Sequence, residues 1–254
     1  MIKIATLIKL NNHRLLNGDA ANKEDVSQLI GDYTVNLLLT DPPYGINIVN
    51  MNHDNENGTV GTAAQPGFKE YGTVGTAGIV EPRQYKPIIG DDKPFNPQHL
   101  LDLNVPSIIF GANNFAHELP NNPKWLVWFK KSGLNIKRNN FSDVELCWTN
   151  LKGKACYMYH HSWSGMLREG DRKSELGERV HPTQKPVGLL EQMILEFTNP
   201  GDIVLDLYGG SGSTLIACEK TNRTCLIMEL SLDYCNIIEK RYWDYVGRGQ
   251  TKLT

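Results

Sequence analysis

Short runs that are apolar at almost every position, each closed by a turn residue, limit what this 254-residue chain can fold into more than any other feature. Residues 35–40, 105–110, 125–129, 144–149, 203–207 and 225–229 have this form, and a further strand is expected within residues 2–16. A strand with one face in water alternates polar and apolar residues, so a run that is apolar throughout calls for cover on both faces, as in a parallel sheet. Helical spacing separates several of these runs. Asn22 can cap a helix carrying Val26, Leu29 and Ile30, and Pro186 opens one in which Val187, Leu190, Ile194 and Phe197 recur until Asn199-Pro200-Gly201 stops it. Ser231 caps a last helix presenting Tyr234, Ile237, Ile238, Tyr242 and Tyr245. Strands alternating with helices predict a doubly wound α/β sheet.

A hydrophobic fraction of 40% with 21% charged residues excludes wholesale disorder and fibrous folds. No apolar stretch approaches the roughly 20 residues that cross a bilayer, and polar residues interrupt the first 14 where a signal-peptide core would stand. A soluble, cytoplasmic protein is expected. Cys147, Cys156, Cys218, Cys225 and Cys235 show no CxxC spacing and sit mostly in apolar contexts, as reduced core thiols do. Cys156, His160, His161 and His181 have no familiar zinc spacing, so no metal site is expected. The net charge of −2 hides an uneven distribution. Residues 123–185 hold 12 Lys and Arg against 6 Asp and Glu, whereas the flanks are acidic. A basic segment of this kind is usually solvated surface, and it can also meet a polyanion.

Two stretches fall outside the scaffold. Residues 45–100 include a Gly-, Asn- and Thr-rich connection with GTVGTA at both 58–63 and 72–77, too short a duplication for a structural repeat. Residues 152–180 mix Lys and Arg with Tyr157, Tyr159, His160, His161 and Trp163, a combination suited to phosphates and unstacked bases.

Asp41-Pro42-Pro43-Tyr44, directly after the apolar run ending in Thr40, is the sharpest chemical signal. Chance would place these four letters in such a chain with a probability on the order of one in a thousand or less. Each proline fixes its own φ and pushes its predecessor out of the helical region, so Asp41 and Pro42 are rigid and extended at a strand's carboxyl end. Neither proline has an N–H, which leaves the Pro42 carbonyl and the Asp41 carboxylate as a surface of acceptors. Such a surface suits the hydrogens of an exocyclic amino group, with the Tyr44 ring available to stack on the base. The alternative is a rigid turn and nothing more.

The second signal runs Asp206-Leu207-Tyr208-Gly209-Gly210-Ser211-Gly212-Ser213-Thr214, a strand passing through a glycine turn into a helix. Glycines let backbone approach a ligand, and the N–H groups at a helix start favour an anion. A phosphate-binding P-loop needs a lysine that this turn lacks. Glu229 ends the next strand, where an acid can accept from ribose hydroxyls. His181-Pro182-Thr183-Gln184-Lys185-Pro186 offers Thr183 and Lys185 for a carboxylate, and Asn17-Gly18-Asp19-Ala20 closes an early strand.

Taken in chain order, residues 17–19, 41–44, 181–186 and 206–214 and then Glu229, the four motifs and the acid resemble an amino-group DNA methyltransferase of the permuted β class, in the compact form carried by phages and prophages. Phe110-Gly111-Ala112-Asn113-Asn114, Trp125-Leu126-Val127-Trp128, Glu145-Leu146-Cys147-Trp148 and Trp163-Ser164-Gly165-Met166-Leu167-Arg168 are similar to that group as well. The resemblance implies a single Rossmann-like class I methyltransferase domain with a mostly parallel seven-stranded sheet, circularly permuted so that the catalytic half comes first. It also implies S-adenosylmethionine as donor. Residues 206–214 (Asp206, Tyr208, Gly210, Ser211, Gly212, Ser213 and Thr214 among them) would surround its methionine part, with Glu229 on the ribose, Asp19 near the adenine and Lys185 or Thr183 near the carboxylate.

Asp41, Pro42, Pro43 and Tyr44 would then receive a flipped base from double-stranded DNA. Lys130, Lys131, Lys137, Arg138, Arg168, Arg172 and Lys173 would hold phosphates. Leu207 and Tyr208 depart from the family's Asp-Pro-Phe, which keeps the aromatic ring but not the proline. The compact form implies no large separate recognition domain, and target choice would then rest on residues 45–100 and 152–180. Asp rather than Ser at position 41 resembles adenine-directed enzymes and implies transfer to N6 of adenine. N4 of cytosine, or a non-catalytic DNA-binding module, remains the alternative. A second copy of the chain and a restriction endonuclease are further candidate partners.

Overall fold

The structure, a computed structural model, describes residues 5–46, 88–131, 142–164, 167–168, 181 and 183–250. In chain order these form β1 (Thr6–Leu10), β2 (His13–Asn17), α1 (Lys23–Ile30), β3 (Leu37–Thr40), α2 (Gln98–Leu101), β4 (Ser107–Phe110), a 3₁₀ segment (Ala112–Glu118), β5 (Trp125–Phe129), β6 (Val144–Thr149) and β7 (Tyr157–His160). Then come β8 (Trp163–Ser164), β9 (Leu167–Arg168), α3 (Val187–Phe197), β10 (Ile203–Asp206), α4 (Ser213–Thr221), β11 (Thr224–Glu229) and α5 (Leu232–Gln250). One mixed sheet runs β1-β2-β11-β10-β3-β4-β6-β5-β7, and β8 with β9 makes a small separate ribbon.

The expected count of seven strands is corrected to nine in this sheet. Asn11 takes a left-handed conformation, φ 51°, and folds the first expected strand back on itself as the antiparallel pair β1–β2. β7, from the basic aromatic stretch, adds alongside β5. From β2 through β11, β10 and β3 to β4 every pairing is parallel, and β6 is antiparallel to both β4 and β5.

Cover on both faces is visible residue by residue. Leu37 and Leu39 pack with Val187, Leu190, Leu215 and Ile238 on the side of α3, α4 and α5. Leu38, between them, packs with Val26, Leu29, Leu100 and Phe115 on the side of α1, α2 and the 3₁₀ segment. All three leucines are fully buried, each contributing about 1.5–3 kcal/mol of transfer free energy. Asn22 caps α1 by accepting from the backbone N–H groups of Glu24 and Asp25, as its side-chain chemistry predicts.

The register sets the strand tips side by side. Leu38 pairs with Leu205 and with Ser107, Asp206 pairs with Ile227, and Glu229 pairs with Asn17. Residues after β2, β3, β10 and β11 therefore emerge on one carboxyl edge, where ligands bind in open α/β sheets. Among the described residues no helix is long and apolar enough to cross a membrane.

Candidate active site

A cleft of about 460 Å³ opens along this carboxyl edge, lined by Asp19, the whole of Asp41-Pro42-Pro43-Tyr44, His181, Thr183, Lys185, the glycine turn and Glu229. Two motifs more than 160 positions apart in sequence thus share one cavity. A hydrogen bond couples them directly: Thr40 Oγ1 at the end of β3 donates to Asp206 Oδ1 at the end of β10, 2.8 Å away. Asp206 is buried and also accepts from the Tyr208 backbone N–H at 3.1 Å. Burial pushes its carboxyl up to about 6, against the pull of hydrogen bonds from Thr214, Thr40 and Tyr208.

The glycine turn is held largely by its own backbone and its neighbours. Gly212 N–H donates to Gly209 O at 2.8 Å, and Gly209 N–H donates to Met228 O at 2.7 Å. Gly212 has φ 78°, and a Cβ there would lie 3.0 Å from Ile238, so position and conformation both call for glycine. Glu229 bridges two elements, accepting from Gly210 N–H at 2.9 Å and from Ser231 N–H at 2.8 Å. Burial raises its pKa, and these backbone donors oppose the rise. Tyr208 lines the cleft and also meets α2, where its hydroxyl lies 2.8 Å from His99 Nε2, while its ring meets Phe95 edge-on. Asp19 stands exposed at the tip of β2, with Oδ1 accepting from Ala21 N–H. Asn17 ties that tip to β11 by donating to the carbonyls of Glu229 and Leu230, both at 3.0 Å.

The Asp-Pro-Pro-Tyr tip is held differently, by side chains from remote segments. Lys185 or Thr183 was expected near a cofactor carboxylate; the Lys185 Nζ lies 2.5 Å from Asp41 Oδ2 and 2.9 Å from Glu145 Oε1. Tyr44 was expected to offer its ring for stacking, and its hydroxyl lies 2.5 Å from Asp41 Oδ1 and 2.8 Å from Glu145 Oε1. Its ring packs against Gly111, where a Cβ would fall 1.9 Å from Tyr44 Cε1. Asp91 Oδ1 accepts the three successive N–H groups of Tyr44, Gly45 and Ile46 at 3.1, 3.0 and 3.2 Å, a carboxylate seated in a backbone nest.

Charge in this network is tightly constrained. Burial raises the Asp41 pKa, with Lys185 lowering it and Glu145 raising it further. Burial acts upward on Glu145 too, but Lys185 and Lys130 together outweigh it and leave that pKa lowered. For Lys185 burial pulls downward, and the charges of Asp41 and Glu145 overcome it to hold the ammonium above its usual range.

Of the residues proposed for phosphates, Lys130 lies 3.6 Å from Glu145 Oε2 and Lys131 lies 3.5 Å from Asp143 Oδ1. Arg168 forms part of β9. Lys137, Arg138, Arg172 and Lys173 lie outside the described residues, as do both copies of GTVGTA. His181 is buried, accepts at Nδ1 from the Thr183 N–H and lies 4.6 Å from the Tyr234 ring. Thr183 Oγ1 lies 3.2 Å from the same nitrogen. Among the described residues no three metal-ligating side chains cluster.

Four contributors were not foreseen. Glu145 carried a signal, a charge inside an otherwise apolar strand. Gly111 directly follows a strand, which marks a close approach. Asp91 had no local signal. Arg241, nine residues into α5, donates from Nη1 to Ser211 O at 2.8 Å and lies 3.1 and 3.2 Å from the hydroxyls of Ser211 and Ser213.

Comparison with known proteins bears on this geometry. The family model described as "N6_N4_Mtase: DNA methylase" matches residues 84–240, more than half of the chain, with residues 41–44 lying upstream of the matched stretch. Type II methyltransferase M2.DpnII of Streptococcus pneumoniae is 26% identical over 153 residues, 54% of this chain and 56% of its own length. Type II methyltransferase M.HpaI of Haemophilus parainfluenzae is 43% identical over 63 residues, 25% of this chain and 20% of its own. The chain thus spans about half the length, or less, of these curated relatives. Among solved structures, PvuII DNA methyltransferase, described as cytosine-N4-specific, aligns with a TM-score of 0.53 at 16% identity, covering 94% of this chain and 93% of that one. This likeness is one of fold: the mixed α/β sheet of class I methyltransferases. With that fold and a family model matched over more than half its length, the chain belongs to the N6/N4 DNA methylase family.

Proposed function

We propose that this chain transfers a methyl group from S-adenosylmethionine to the N6 amino group of an adenine flipped out of double-stranded DNA. The observation that carries the reading is the single cleft in which the acceptor tip Asp41-Pro42 and the glycine turn with Glu229 face the same space. Its volume lies in the roughly 300–1,000 Å³ range of small-molecule sites. Asp19, Asp41, Asp91, Asp206, Glu229 and Asp233 line it against Lys185, alone among the described Lys and Arg residues, a wall that suits a cationic, hydroxyl-bearing ligand.

S-adenosylmethionine supplies an activated methyl on a sulfonium. In this reading Glu229 accepts from ribose hydroxyls, Asp19 lies near the adenine, and residues 206–214 with Thr183 hold the methionine end. Lys185 is reassigned from the cofactor's carboxylate to Asp41. The Asp41 carboxylate and the Pro42 carbonyl accept the hydrogens of the target amino group, turning its lone pair toward the donor. Asp41 then stabilises the positive charge that develops on nitrogen. Alignment supplies most of the acceleration. A covalent route through cysteine is disfavoured, because Cys147 is buried in β6 and burial pushes its thiol well above the ordinary range.

Asp at position 41 supports adenine over cytosine by resemblance. In this reading the chain order, with β3 ahead of β10, is the permuted β arrangement of a single compact domain. Residues 45–100 and 152–180, with Lys130, Lys131, Lys137, Arg138, Arg168, Arg172 and Lys173, face the DNA; flipping costs roughly a few kcal/mol. A second copy of the chain and a companion endonuclease are partners to test. Incubation with methyl-labelled S-adenosylmethionine and unmodified DNA, followed by digestion to nucleosides, is expected to yield labelled N6-methyladenine. Labelled N4-methylcytosine would overturn the choice of base, and cofactor binding without incorporation would favour a non-catalytic module.

A further inference from the structure

We propose that Glu145 is a positioning residue for the reaction proposed above: through the Lys185 ammonium and the Tyr44 hydroxyl it holds the Asp41 carboxylate in one orientation. The inference rests on the methyltransferase reading.

Glu145 stands in β6, 104 positions beyond Asp41, and its side chain is only 14% exposed. Its Oε1 meets both Tyr44 Oη at 2.8 Å and Lys185 Nζ at 2.9 Å. Each of those groups in turn meets Asp41, on different carboxylate oxygens, at 2.5 Å. An ammonium has three N–H donors, and three acceptors surround this one: Asp41, Glu145 and, at 3.2 Å, the Tyr44 oxygen. The phenol has one proton to give and two carboxylates within reach. Lys185 has no spare donor, so its orientation is determined by all three partners, and Asp41 cannot rotate without breaking two short bonds.

Removing Glu145 frees one ammonium hydrogen and one side of the phenol. A carboxylate binds about four hydrogen bonds, so Asp41 keeps acceptor capacity for a substrate amine while Tyr44 and Lys185 hold it. Two acids against Lys185 and Lys130 also leave the cluster electrically balanced. A buried ionic network contributes little to stability compared with apolar residues of the same volume, so its presence at a reactive strand tip points to function.

The titratable groups facing Asp41 are Tyr44 from its own loop, Glu145 and Cys147 from β6, Lys185 from the segment before α3, and Asp206 from β10. Lys130, after β5, faces Glu145. Glu145 and Lys185 act on Asp41 with opposite sign. Neutralising Glu145 therefore moves the Asp41 titration to lower pH, and neutralising Lys185 moves it to higher pH.

The test uses the full chain as Glu145→Gln, which keeps shape and removes charge, Glu145→Leu, which removes both, and Lys185→Met. The expected loss in kcat is roughly tenfold for Gln and a hundredfold for Leu, with cofactor Kd and DNA KM within about twofold of wild type. The carboxyl resonance of Asp41 in 13C-labelled protein should titrate lower in Glu145→Gln and higher in Lys185→Met, shifts a purely structural residue would not split by sign. If Glu145→Leu does not fold, Glu145→Gln carries the test. Unchanged kcat in both Glu145 variants, or one Asp41 midpoint shared by wild type, Glu145→Gln and Lys185→Met, would overturn the proposal. A wild-type chain that binds cofactor but transfers no methyl group overturns the reading beneath it, and the Asp41 titration still decides the link by itself.

Discussion

The two halves of the cleft are built on opposite principles. The glycine turn and its acid come from one near-contiguous stretch, β10 through β11, and are secured by backbone bonds such as Gly212 N–H to Gly209 O and by the Glu229 carboxylate, which accepts from Gly210 N–H. The Asp-Pro-Pro-Tyr tip has stiff local backbone, yet it is held by Asp91, which binds its backbone, and by Gly111, Glu145 and Lys185, which meet its side chains, from four separate segments. A turn held largely by its own backbone depends on few distant side chains, Arg241 and Glu229 among them. A tip held by remote side chains can be disabled from any one of four places without altering the motif.

Substitutions can break this contrast. The largest effect is expected for Asp41→Ala, with methyl transfer reduced roughly a thousandfold and cofactor affinity unchanged by calorimetry; equal loss of both would mean that the tip and the turn are not separate devices. Gly111→Ala comes next. Its Cβ would enter the Tyr44 ring at φ 65°, so transfer should fall roughly a hundredfold and thermal unfolding should report a loss of about 2 kcal/mol or more. Retained activity would show that the ring can leave Gly111 at little cost.

Asp91→Ala leaves three neighbouring N–H groups without their acceptor, and a drop of roughly tenfold in kcat is expected, with cofactor Kd unaffected. The smallest effect tests the other side. Arg241→Met removes the donor to Ser211 and its neighbours, which should weaken cofactor binding by about threefold to tenfold and leave single-turnover rates at saturating cofactor near wild type. A rate defect at saturation would extend the remote control to the turn as well.

Strands, helices and the two main motifs were legible because each is written in adjacent residues. β5 and β6 have the expected bounds, α1 has its expected cap, and both Asp-Pro-Pro-Tyr and the glycine turn line the cleft. The hairpin at Asn11 was hidden inside one apolar run, since a single residue with φ above zero turns the chain without changing the hydrophobic pattern. The contacts of Lys185 were hidden for a related reason. In sequence it adjoins the helix leading to the glycine turn, while in space its ammonium reaches across to β3 and β6.

What the sequence by itself determined is everything set by local stereochemistry and periodicity: a doubly wound sheet, a stiff acceptor tip after one strand, and a glycine turn with a following acid after another. Only the tertiary structure decided which charges face which. Glu145, Asp91 and Arg241 gain their meaning from strand register and helix packing, which bring together groups far apart along the chain, and at those short distances a buried charge is governed by its spatial neighbours.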